Sequence, residues 1–139
     1  MGYAVKCMTH ARVGPAKSKS RPSRPALSVE EVFDAVAHKR GRLVGLLRDL
    51  IRIPTVVPPG NNYEEMVDYL EPLFQNLSFG TERVVVPEEH IRAIPFPLQG
   101  PRVNLVATRD CHRSEAVTLY AHMGVVPVEA PWTEEPFAG

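Results

Sequence analysis

Apolar residues recur at near-helical spacing through the first part of the chain: Val32, Phe33, Val36, Ala37, Leu43, Val44, Leu47, Leu50 and Ile51. Ser28-Val29-Glu30-Glu31 stands ahead of them as a capping box, in which Ser28 accepts from the backbone three residues on and Glu31 reaches back. This predicts one amphipathic helix, weakened at Gly41 and Gly45. It must close by Ile53, because Pro54 disfavours the α region for the residue before it. Thr55 to Gly60 (TVVPPG) then reads as a rigid extended loop with Pro58-Pro59-Gly60 as its turn. A second helix is expected from Asn62 to Leu77, with Tyr63, Met66, Val67, Leu70, Phe74 and Leu77 on one face. Pro72 predicts a kink or a restart inside it, and Gly80 its terminator.

Period then shortens. Arg83 to Val86 is short and β-branched, and Val103 to Thr108 and Ala116 to His122 are apolar runs of strand length. The linker between the last two (RDCHRSE) is too short for a crossover helix, so an antiparallel hairpin is expected. Residues 87–102 carry Pro87, Pro95, Pro97 and Pro101 and read as a proline-stiffened excursion. Two helices followed by three strands make the first part of an α/β domain over residues 28–139. Residues 1–27 show neither period, carry Ser18, Ser20, Ser23 and three prolines, and are expected to be a disordered leader.

Charge sharpens that division. The chain of 139 residues holds 16 basic and 16 acidic residues, yet six of the basic ones and none of the acidic ones fall in residues 1–28. A basic leader thus precedes an acidic body. The leader's composition fits an organelle transit peptide or a phosphate-binding arm as well as a plain solvated start. No apolar stretch follows its first charges, so a secretory signal is not expected. No run of about 18 apolar residues occurs, so no membrane-spanning helix is expected. The acidic body lacks aromatic interleaving or a recognition motif, so no nucleic-acid partner is expected. Two cysteines make no disulfide framework, and Cys7 and Cys111 read as reduced thiols of a cytoplasmic protein. Cys7 with His10, and Cys111 beside His112, each lack the second pair that a four-ligand zinc site needs.

The most informative stretch is Leu119 to Gly139, LYAHMGVVPVEAPWTEEPFAG. A strand ending in His122, then Val-Val-Pro, Trp132 and Pro-Phe-Ala-Gly, resembles the first metal-binding motif of a family of zinc metallopeptidases. These are the aminoacylase, acetylornithine deacetylase and succinyl-diaminopimelate desuccinylase type enzymes. LRDLIRIP (residues 47–54), the TVVPPGNN loop and Val103-Asn104-Leu105-Val106-Ala107 agree with the resemblance, which runs from about residue 40 onward.

The resemblance implies that His122 is a ligand of the first of two zinc ions. It also implies a hydrolase that cleaves the amide of N-acyl amino acids or small peptides with metal-activated water. A histidine at a strand's carboxyl end suits that role chemically, since neutral imidazole binds zinc and the rim of a sheet has room for a site. The family has an aspartate two residues later to orient the histidine, and here that position is Gly124. Loss of such a partner typically weakens metal binding or activity by roughly 10–100-fold. The family's further ligands, its general-base glutamate and its dimerising lid domain have no counterpart in these residues, so a homodimer is expected only where a lid is present. Glu134 and Glu135 lie inside the motif loop and read as solvated charges, Trp132 and Phe137 as packing anchors, and His38, His90 and His112 as surface residues. The expectation is therefore a zinc-hydrolase subdomain, an incomplete fragment inactive by itself. Its alternative is a non-catalytic binding or scaffold module of the same descent.

Overall fold

The computed structural model describes residues 3–6, 27–112 and 116–139. Among them the chain is mixed α/β, with four helices and four strands: β1 (Tyr3–Lys6), α1 (Val29–His38), α2 (Arg40–Ile51), α3 (Tyr63–Asn76), β2 (Gly80–Val85), α4 (Glu88–Arg92), β3 (Val103–Thr108) and β4 (Thr118–Ala121). Among the described residues, no helix is long and apolar enough to cross a membrane.

The capping box forms as expected: Glu31 N donates to Ser28 Oγ at 3.1 Å and Ser28 N to Glu31 Oε2 at 2.7 Å. The single helix expected behind it is instead two, because Lys39 leaves helical geometry at φ −92°, ψ 1°. α1 buries none of its residues, and Val29, Val32, Phe33 and Val36 stay exposed. Among the described residues no buried core packing on that face holds one straight rod, and Gly41 just past the break lowers helix propensity.

α3 runs unbroken through Pro72, so the expected restart is absent. Its apolar face explains this: Val67 belongs to the core on one side of Pro72, and Phe74 packs on that core from the other. Its end is a Schellman motif, not a Gly80 stop. Ser78 takes φ 63°, its N donates to Gln75 O at 2.8 Å, and Phe79 N donates to Phe74 O at 3.1 Å. Phe74 and Phe79 close the motif with an edge-to-face contact at 5.6 Å. Gly80 instead opens β2.

β2 pairs antiparallel with β3, Gly80 facing Thr108 and Val85 facing Val103. It begins three residues earlier than its β-branched core suggested. β3 alternates buried and half-buried positions, and Val103, Leu105 and Ala107 are its buried side. Val67, Val103 and Leu105 form the core, with Leu70, Phe74 and Met123 packed against it. Arg83 on β2 bonds Glu71 Oε2 at 2.7 Å and Asp68 Oδ1 at 2.6 Å, fastening α3 to the sheet from outside.

Two expectations fail in the remaining strands. The hairpin between β3 and β4 does not form: β3 gives its ladder to β2, and β4 pairs antiparallel with β1, Tyr3 facing Ala121. β4's backbone groups are thus satisfied by residues from the segment read as a structureless leader. Residues 7–26 of that leader, including Cys7 and His10, lie outside the described residues. The proline-rich excursion also holds the short helix α4.

Candidate functional site

The TVVPPG loop and the motif after β4 are brought together. Val56 and Val125 form a parallel bridge, with Val57 N donating to Val125 O at 2.8 Å and Val125 N to Thr55 O at 3.0 Å. Thr55, 1% exposed, donates its hydroxyl to Met123 O. A buried threonine is thus satisfied by the residue directly after His122. Asn62 sits in the left-handed region at φ 62° and spends its side chain on Pro54 O at 3.0 Å, closing the loop before α3.

His122 follows the last residue of β4, is exposed, and meets Tyr120 edge-to-face with ring centroids 5.1 Å apart. Among the described residues, no three His, Cys, Asp or Glu side chains come together as a metal-ligand group. A catalytic zinc takes about three protein ligands, so the described donors around His122 do not fit that ion. His112 pairs with Asp110 at 3.3 Å and Cys111 is an exposed free thiol. His38 bonds Asp34 O at 2.6 Å within its own helix, and His90 is exposed. Glu134 and Glu135 are exposed in the motif loop.

A side chain at position 124 would have to displace its neighbours. A Cβ built on Gly124 would overlap the Tyr63 hydroxyl and come within 2.9 Å of Val57 Cγ2. Tyr63 is 4% exposed at the start of α3, where the Asn62 turn delivers it into this space.

Two clefts flank His122. One, about 640 Å³, is almost wholly apolar and lies among α2, α3 and the motif loop, with Leu50, Phe74, Trp132 and Phe137 in its wall. Trp132 nevertheless remains 62% exposed, so it anchors the loop on one side only. The other, about 680 Å³, lies between the TVVPPG loop and residues 86–98 and has Tyr63, Arg102, Asn104 and His122 as its polar groups. Arg102 is 6% exposed, donates to the carbonyls of Pro59 and Gly60, and holds its guanidinium 4.9 Å from the Tyr63 ring centroid. Gly60 has φ 85°, and a Cβ there would run into that guanidinium.

Neither Tyr63 nor Arg102 was singled out as a site residue from sequence. The available signal was a lone cation opening a buried strand, directly after Pro101, with no acidic residue beside it. Comparison with protein families, with curated proteins and with solved structures gives no match for this chain.

Proposed function

We propose that this 139-residue chain acts as a non-catalytic, small-molecule binding module that shares the amino-terminal motif of the deacylase-type zinc metallopeptidases. The observation that carries this is the space at Gly124. The carboxylate that would orient His122 is missing, and Tyr63 and Val57 fill the volume it would need. With no orienting carboxylate at position 124, and no ligand group near it among the described residues, His122 is a poor anchor for a metal. The site that remains is the Arg102 cleft, whose size lies within the roughly 300–1,000 Å³ typical of ligand pockets. A soluble, cytoplasmic setting belongs to the same proposal.

A second function draws on the motif Leu119 to Gly139: hydrolysis of N-acyl amino acids or small peptides in a two-zinc site. It requires ligands beyond those the described residues bring to His122. Incubation of the chain with N-acetyl amino acids and zinc separates the two. The binding-module function predicts no amino acid release above a protein-free control. Release that disappears in His122→Ala would establish the hydrolase instead.

A further inference from the structure

The cleft beside Arg102 has an unusual electrostatic composition. Arg102 and His122 line it, and among the described residues no aspartate or glutamate does. Arg102's partners are two backbone carbonyls and a tyrosine face. Carbonyl oxygens accept hydrogen bonds but bring no net charge. Among the described residues, no carboxylate pairs with Arg102, whereas Arg52 and Arg92 each have one and Arg83 has two. A guanidinium does not deprotonate in proteins, and its two carbonyl bonds use two of five N–H donors. A buried charge is costly unless it is paired. Among the described residues, the positive charge at the cleft is therefore met by dipoles and a ring face, and no carboxylate balances it.

Its walls are apolar. Ile91, Ile94, Phe96 and Leu98 come from the proline-rich segment, facing Val57 and Val126. That segment is pinned at both ends of the site, Gln99 N donating to Pro59 O at 2.9 Å and Val86 N to Arg102 O at 2.8 Å.

We propose that this cleft binds a small carboxylate with an apolar body, the carboxylate held by Arg102 and the body by the Ile91, Ile94 and Phe96 wall. The proposal rests on the binding-module function and names its ligand class. A neutral apolar molecule would leave the guanidinium uncompensated. A bare phosphate would meet one obligatory cation and leave the apolar walls wet. A carboxylate supplies the negative charge and accepts an N–H that the two carbonyls leave over, and its hydrocarbon body removes those walls from water.

The test is calorimetric titration of the 139-residue chain with isovalerate, isovaleramide and inorganic phosphate. Isovalerate should bind, with the amide and phosphate roughly 10–100-fold weaker, the ratio expected when a hydrogen bond to a charged group is lost. Phe96 is 64% exposed, so Phe96→Glu should keep the fold while adding a negative charge to the wall. It should weaken isovalerate at least about tenfold, with an unchanged circular dichroism spectrum. Equal binding of the amide, tighter binding of phosphate, indifference to Phe96→Glu, or no isovalerate binding at millimolar concentration would each overturn the proposal. Zinc titrated separately addresses the parent function: tight zinc binding would refute the binding module and leave the isovalerate result standing.

Discussion

Gly124→Ala is the smallest change that probes the packing on which this account depends. Gly124 is not among the glycines with positive φ, so alanine fits its backbone. In open space such a replacement would stabilise the protein by about 0.4–1 kcal/mol through the unfolded chain. Here the new methyl meets the Tyr63 hydroxyl and, at 2.9 Å, Val57 Cγ2. Overpacking of that kind costs about 1–3 kcal/mol, so a net loss of about 1–2 kcal/mol is expected. Urea unfolding followed by circular dichroism should show a midpoint about 0.5–1 M lower. Gly41→Ala is the control, since nothing lies within 4 Å of a Cβ there, and it should gain about 0.5–1 kcal/mol in α2. Tyr63→Phe removes the clashing oxygen, so in a double-mutant cycle it should recover part of the Gly124→Ala loss. If Gly124→Ala stabilises the chain as Gly41→Ala does, or if Tyr63→Phe recovers nothing, the space at position 124 is not filled as described.

Two further outcomes follow from the fold. Ser28→Ala removes the acceptor for Glu31 N, and should cost about 1 kcal/mol in the stability of α1, read as lost helicity with little change in the β2–β3 core. Glu71 lies below its ordinary value of 4.5, first because Arg83 donates to it and then because Thr81 does. A lowered folded value means the stabilisation is fully present above the ordinary value and is lost as pH falls through the lowered one. Urea midpoints measured on acidification should therefore decline through the carboxylate range, and Glu71→Gln should flatten that decline.

Local signals in the sequence carried far. Ser28 and Glu31 sit at the spacing a capping box requires, and the bonds form. Val103 to Thr108 is a strand with the expected bounds because its alternation and length leave little choice. Non-local pairing was less legible. The short RDCHRSE linker argued for a hairpin, but β3 pairs with β2 and β4 with β1, and chain proximity alone does not decide such pairings. Similarly, Gly80 looked like the residue to end α3, while Ser78 accepted the strained φ because the Phe74–Phe79 contact holds it there. The site divided in the same way. His122 and Gly124 were visible as motif positions. The roles of Tyr63 and Arg102 depend on the Pro59-Gly60 turn, 43 and 42 residues before Arg102, folding back over it, which no local pattern announces.

Among the described residues, His122 has no companion ligands for a catalytic zinc. Calorimetric titration of the purified chain with zinc, repeated on His122→Ala, tests it most directly. Only weak binding is expected, alike in both proteins, since one imidazole falls short of the roughly three ligands a catalytic zinc requires. Stoichiometric, tight binding that His122→Ala abolishes would contradict it.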